Sequence, residues 1–265
     1  FGEGRSSGLR MKVSVITVCF NSAPTIVDAL RSVERQSHAD VEHIVIDGAS
    51  ADGTPDLVRA HGHRVTCLVS EPDQGIYDAM NKGLALATGE IVGFLNSDDV
   101  LASPDCVSRL VAAFQDDTVD AVYGDLVFVD RIDTDRALRY WRPGPHALGA
   151  CAGGWMAPHP TFYVRRRILQ DSGGFDLNYR LCADFELMLR LFEVQRIRSR
   201  YLASTLVRMR LGGATTGSLR NVIRGNLEAS RACRRHGFGG GPLFIARKIS
   251  RRIPQFFSRP RKRAP

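Results

Sequence analysis

Apolar positions fall into short β-rich runs separated by amphipathic stretches. Val13–Phe20 (VSVITVCF), Val41–Asp47 (VEHIVID), Val65–Ser70 (VTCLVS), Glu90–Leu95 (EIVGFL) and Val119–Val129 read as strands. Between them lie a helix that starts at Pro24 and aligns Ile26, Leu30 and Val33, and a short helix over Thr54–Ala60. A third covers Ile76–Ala87, with Ile76, Met80 and Leu84 on one face, and a fourth covers Pro104–Phe114. This alternation predicts βαβ units and a largely parallel sheet flanked by helices, an α/β fold of Rossmann-like type. The second half is less regular. Arg139–Pro160, rich in Gly, Pro and Trp, reads as loop. Thr161–Val164 reads as a short strand, Ala183–Glu193 as an amphipathic helix, Tyr201–Arg210 as a strand and Ser218–His236 as a helix. No internal repeat is visible.

Open parallel sheets bind ligands beyond the carboxyl ends of their strands. Those ends carry Asn21 and Ser22; Asp47; Glu71, Asp73 and Gln74; and Asn96, Ser97, Asp98 and Asp99. One such Asp is ordinary turn or cap chemistry. Several acidic clusters on one rim repel one another, and a cation relieves them. Two nucleotide-binding patterns are absent: no G-x-G-x-x-G follows the first strand, and no G-x-x-x-x-G-K-[ST] occurs. Carboxylates holding Mn²⁺ or Mg²⁺ can carry a diphosphate in place of a glycine cradle.

Charge alters this picture only at one end. From Arg231 to Pro265 there are eleven Lys/Arg and no Asp/Glu; the other 25 of the 36 basic residues face 28 acidic ones, a net of −3. The body is slightly acidic, so a nucleic-acid partner is not expected. No apolar run is long enough for a transmembrane helix, and no signal peptide is read. Six scattered cysteines without a Cys-x-x-Cys pair read as reduced thiols of a cytoplasmic protein. Residues 1–10 read as a leader or appended remnant, with Met11 as a natural start. Residues 11–236 read as one domain, with a change of pattern near residue 100. The basic amphipathic tail at 237–265 includes a helix from Leu243 to Ile253, on which Ile245, Ile249 and Ile253 make an apolar strip. Such a tail suits an anionic membrane surface through 243–265, at the inner face of the cell membrane; packing on the body is the alternative.

Residues 13–100 closely resemble the family 2 glycosyltransferases with the GT-A fold. The matching stretches are SVITVCFN at 14–21, VIDGASADGT at 45–54, SEPDQGIYDAMNKGLALATGE at 70–90 and FLNSDD at 94–99, with CADFELMLRL at 182–191 in the place of the acidic acceptor-side motif. HPTFYVRR at 159–166 and RLGG at 210–213 look closest to the branch that includes colanic-acid and glycolipid transferases. The resemblance implies a nucleoside-diphosphate sugar donor, a glycan or lipid-linked acceptor and a divalent metal, with a nucleotide-binding half at 11–100 and an acceptor-side half at 101–236. It places Phe20, Asn21, Asp47, Asp73, Asp78 and Asn81 at the nucleotide. Asn96-Ser97-Asp98 occupies the D-x-D position, with Asp98 as metal ligand and Asn96 in place of the first Asp; Asp99 binds donor sugar or caps a turn. Asp184 matches the catalytic base, although Ala183 stands where Glu is usual. His159 is open between a turn and a contact with metal or diphosphate, Trp155 between an acceptor sugar and the core, and Arg210 between the leaving diphosphate and a strand surface.

The mechanism implied is a single inverting displacement without an enzyme nucleophile. A sugar-nucleotide nucleotidyltransferase and a non-catalytic carbohydrate-binding protein of the same fold are the alternatives. The first would need a basic, glycine-rich loop after the first strand, where Phe20-Asn21-Ser22-Ala23 stands.

Overall fold

The computed structural model describes residues 11–212, 218–251 and 253–256. β1 (Val13–Cys19) and β2 (Val41–Asp47) are buried at every position, as strands covered on both faces are. They alternate with α1 (Ile26–Glu34), α2 (Thr54–His61), β3 (Val65–Ser70), α3 (Ile76–Leu86) and β4 (Ile91–Asn96). The four strands are parallel in the order β3-β2-β1-β4. Their register sets Cys19 opposite Asp47 and Val18 opposite Asn96, so the strands end level and their exit loops share one rim.

The second half contributes β5 (Asp99–Leu101), α4 (Cys106–Ala113), β6 (Ala121–Val129), β7 (Ala137–Trp141), β8 (Tyr163–Arg165), α5 (Arg166–Asp171), α6 (Ala183–Leu189), β9 (Ser199–Arg210), α7 (Leu219–Arg235) and α8 (Pro242–Ser250). The sheet continues β4-β8-β6-β9-β5, with β7 on β6. Its sense reverses at β8, which is antiparallel to both neighbours; β6 and β9 are parallel again. One edge of β6 is shared. β8 takes Ala121 and Val122, β7 takes Leu126 to Val129, and the Thr161 hydroxyl plugs the gap by donating to the Gly124 carbonyl at 3.1 Å.

Two apolar layers cover the sheet. One joins Ile16, Ile46 and Phe94 to Met80 and Leu84 of α3 and to Phe185 and Met188 of α6. The other joins Val15 and Leu95 to Val33 of α1 and Leu110 of α4. Gly83 lets α3 lie close on the sheet: a Cβ there would come within 2.4 Å of Ile16 Cγ2.

Three expectations change. β5 lies in a stretch for which the sequence predicts no element, and β7 overlaps the loop expected from Arg139; three residues are too few for a period, and β7 (ALRYW) carries no buried residue. The helix expected over Ala183–Glu193 widens into a π turn at Arg190–Val194. There the Glu193 carboxylate accepts from the backbone N–H of Gly149 at 2.6 Å and of Cys151 at 2.8 Å. The tail helix is shorter than expected: α8 ends at Ser250, buries Phe244 and Lys248 against Phe185 and leaves Ile249 exposed, and Ile253 follows, also exposed, in a separate 3₁₀ turn. The membrane-facing reading of Phe257 to Pro265 lies outside the described residues. The six cysteines are free thiols, and among the described residues no helix is long and apolar enough to cross a membrane.

Candidate active site

The loops leaving β1 and β2 hold each other. Asn21 has a left-handed backbone (φ 48°), and its Oδ1 accepts from Ala51 N–H at 3.1 Å while its own N–H donates to Ser50 Oγ at 2.7 Å. Asp47, fully buried, accepts from Ser50 N–H at 3.0 Å, Ser50 Oγ at 2.5 Å and Ser70 Oγ at 2.7 Å. Both residues, expected at the nucleotide, have these acceptor oxygens engaged in binding the loop together. Over Gly48 the Phe20 ring and the Asp73 carboxylate converge: a Cβ there would sit 2.5 Å from Asp73 Oδ2 and 3.4 Å from the Phe20 ring, so a side chain would have to displace the carboxylate, whose Oδ1 accepts from Gly75 N–H at 2.8 Å. Phe20 is 65% exposed. This corner thus offers one aromatic face and one carboxylate oxygen.

At the end of β4, unmet polar atoms collect. Asn96 donates to Asp99 Oδ2 at 3.0 Å, yet Asn96 Oδ1 and Asp99 Oδ1 are buried and have no hydrogen-bond partner. Buried orphan acceptors side by side are costly unless a cation or proton meets them. Burial raises the Asp98 pKa above the ordinary carboxylate range, against the pull of Arg210 and Arg131. Burial raises Asp99 much further, and the charge of Asp98 adds to it. Ser97 shares a 2.8 Å hydrogen bond with Ser22, which ties this turn to the first loop. Oxygen-only acceptors and paired carboxyls fit a hard divalent cation.

Asp184 opens α6. Tyr77, buried on α3, donates to its Oδ1 at 3.1 Å, and Phe185 N–H donates to the same oxygen at 2.8 Å. Burial, and then the Asp184 charge, push the Tyr77 phenol well up, so it stays protonated and is the donor. Beneath this pair lies an aromatic floor. Tyr77 stacks on Phe175 at 5.5 Å, Phe175 meets Phe94 edge-on at 5.1 Å, and His159 stacks on Phe94 at 5.7 Å. His159 Nε2 is buried without a protein partner. Burial lowers its pKa, against Asp184, and the neutral ring leaves a lone pair for a ligand.

Other expected residues take other places. Asn81 spends both ends of its amide on the Phe175 backbone, at 2.9 Å each, so it fixes the aromatic floor rather than reaching a nucleotide. Asp78 accepts from Gln74 N–H at 3.0 Å and closes the first turn of α3. Arg210 is buried behind the β4 end; it donates to the Asp98 carbonyl at 2.8 Å, the Arg131 carbonyl at 3.1 Å and Asp28 at 2.5 Å, and so braces the turn instead of facing a diphosphate. Trp155 is core, not acceptor opening: it is 7% exposed, packs against Tyr123 and Phe192, and donates to the Pro143 carbonyl at 2.8 Å. A separate cluster of His146, Cys151 and Glu193 has ligand atoms within 4.8 Å of one another, but the backbone N–H groups already hold Glu193. Sequence reasoning missed Tyr77 and Phe175. An inward-facing Tyr, next to Asp78 in the α3 motif, was the available signal for the first.

A family profile described as Glycosyl transferase family 2 matches residues 14–173. The chain is 32% identical over 195 residues to a PGL/p-HBAD biosynthesis glycosyltransferase of Mycobacterium tuberculosis, covering 71% of this chain and 73% of that one. It is 35% identical over 185 residues to an uncharacterized glycosyltransferase of the same species, covering 67% and 68%. The fold is similar to the mannosyltransferase PcManGT of Pyrobaculum calidifontis, solved with GDP-Man and Mn²⁺, at TM-score 0.65 and 24% identity over 91% of this chain and 69% of that one. It is also similar to S. aureus TarS 1–349, solved with UDP-GlcNAc, at TM-score 0.67 and 17% identity over 92% and 73%.

Proposed function

This chain belongs to glycosyl transferase family 2, and we propose that it moves a sugar from a nucleoside diphosphate to a hydroxyl of a glycan or lipid-linked acceptor, with inversion and with help from a divalent metal. That it is a glycosyltransferase of GT-A fold follows from the family and the structural likeness; the nucleotidyltransferase and non-catalytic readings fall with it. One observation carries the finer reading: the orphaned oxygens of Asn96 and Asp99 flank the half-buried Asp98 where β4 meets the rim.

Asp98 would hold Mn²⁺ or Mg²⁺, with Asn96 adding an amide oxygen and His159 within the candidate ligand set. When bound, the ion neutralises charge on the departing diphosphate. Phe20 and Asp73 grip the nucleobase over Gly48, the ring by stacking and the carboxylate by accepting an N–H. Asp184 takes the proton of the acceptor hydroxyl on Oδ2, because the hydrogen bonds from the Tyr77 phenol and the Phe185 N–H both fall on Oδ1. The freed oxygen bonds to the anomeric carbon as the bond to the diphosphate oxygen breaks. Attack and departure on opposite faces invert the centre. The basic C-terminal segment keeps the enzyme at an anionic membrane surface, where a lipid-linked acceptor lies.

The test is nucleoside diphosphate release from a panel of donor sugars with and without Mn²⁺, alongside NMR of the product's anomeric configuration. Metal-independent release, or a retained configuration, counts against this mechanism.

A further inference from the structure

α7 has two unlike faces. Gly225, Asn226, Glu228, Ala229, Ala232 and Cys233 are buried against the body. On the outer face Leu219, Ile223 and Leu227 are 77%, 53% and 56% exposed. They recur every four residues, so they form one row along the helix. The outside of a surface helix is ordinarily polar, and an isolated exposed Leu needs no explanation; a row of three does.

The charges around the row are of one sign. Arg220, Arg224 and Arg234 are exposed on α7. From Ser218 to Phe256 the only acid is Glu228, and it is turned inward: one oxygen accepts from Leu181 N–H at 2.8 Å and the other from Arg224 Nε at 3.3 Å. α8 continues the pattern with exposed Leu243, Ile249 and Arg247. Its start is fastened to α7 by Gly241 N–H donating to Ser230 Oγ at 2.7 Å.

We propose that the outer face of α7, continued by the exposed residues of α8, is a docking surface for an anionic lipid bilayer. Apolar side chains in a row enter the acyl boundary while flanking arginines meet headgroup phosphates. A protein partner would face the same apolar row, but the lack of an exposed acid across two helices selects a partner of uniform negative charge. The placement also has a use. Glu228 binds Leu181, three residues ahead of Asp184, so the helix that braces the proposed base presents its other side to the lipid. This rests on the reading of a membrane-side acceptor, and it is tested by binding alone, so that the two can fail separately.

The experiment is vesicle flotation of the full chain with phosphatidylcholine alone and with phosphatidylglycerol added, at low and high salt. Two variants accompany it: Leu219→Ser with Ile223→Ser and Leu227→Ser, and Arg220→Gln with Arg234→Gln. Circular dichroism checks their folding. The parent chain is expected to float only with anionic vesicles. The serine variant should lose at least about tenfold in binding, and the glutamine variant should bind less and respond less to salt. Nucleoside diphosphate release with a soluble acceptor should be unchanged in both. Failure of the parent chain to float, or equal flotation of the serine variant, overturns the proposal. So does a parent dimer that the serine variant turns into a monomer, since the row then meets a second copy. If the serine variant misfolds, undiminished and equally salt-sensitive flotation of the glutamine variant overturns it.

Discussion

Tyr77 and Asp184, on α3 and α6, are joined by one hydrogen bond of 3.1 Å from the phenol to Oδ1. With the Phe185 N–H, the bond engages one carboxylate oxygen twice. Asp184→Asn is expected to lower kcat by at least roughly a hundredfold, the scale of general-base catalysis, with donor KM largely kept. Tyr77→Phe should lower kcat by roughly tenfold at unchanged donor KM, because it misplaces the base without removing it. In the double variant the second loss should vanish, since the two residues act as one unit. Steady-state kinetics of the four proteins checks this; additive losses would make Tyr77 merely structural.

Asp98→Ala should abolish turnover while leaving the melting temperature of the ligand-free protein little changed, because the substitution removes a desolvated carboxylate from a half-buried place. The stabilisation that a donor sugar gives in the presence of Mn²⁺ should be lost as well. Thermal shift with donor, with and without metal, reads both effects. Full activity in the variant would sink the metal assignment.

Gly48→Ala should weaken nucleoside diphosphate binding by about tenfold or more and leave the fold intact. The new Cβ, 2.5 Å from Asp73 Oδ2, has to push that carboxylate away from its place beside Phe20. Calorimetric titration with UDP and GDP measures it. Unchanged affinity would show that the base does not lie over Gly48.

Acid should destabilise the β1–β4 half through Glu42 and His43. Burial alone would raise Glu42, but hydrogen bonds from Ser14, Thr88 and Lys12 lower it from 4.5 to about 2. A depressed carboxylate stabilises the fold above its unfolded pKa, and the contribution is lost as pH falls from 4.5 toward 2. Burial, with Arg64 second, lowers His43 from 6.5 to about 3; the fold needs it neutral, so stability also declines as pH falls below 6.5. Glu42→Gln should therefore cost on the order of 2 kcal/mol at pH 7 and close to nothing near pH 2. Urea unfolding across this range is the measurement.

The parallel half was legible because β1, β2 and β4 are buried on both faces and read as largely apolar, β-rich runs, with turn residues at their ends; β3, half-exposed, was legible from its β-branched residues. β5 and β7 were not, since one is too short for a pattern and the other is held by pairing with β6 rather than by burial. At the site, the sequence placed polar residues at the strand ends, where the structure has them, but it could not apportion them. Asp47 and Asp73 are both carboxylates, yet both Asp47 oxygens are taken by Ser50 and Ser70, whereas a single backbone N–H holds Asp73 by Oδ1. Only coordinates reveal which side chain is already engaged. Arg210 misled for the same reason, since its three partners come from three distant segments.

The pairing of β5 with β9 sets an order of assembly. β1 to β4 are close in sequence and can pair early. Asp99, by contrast, is registered opposite Met209, and Arg210 then seizes the Asp98 carbonyl, more than a hundred residues away along the chain. The loops after β1 and β2 hold each other through Asn21, Ser50 and Ala51, which lie close in sequence, whereas the turn at Asn96–Asp99 gains its last supports only when the far strand is in place.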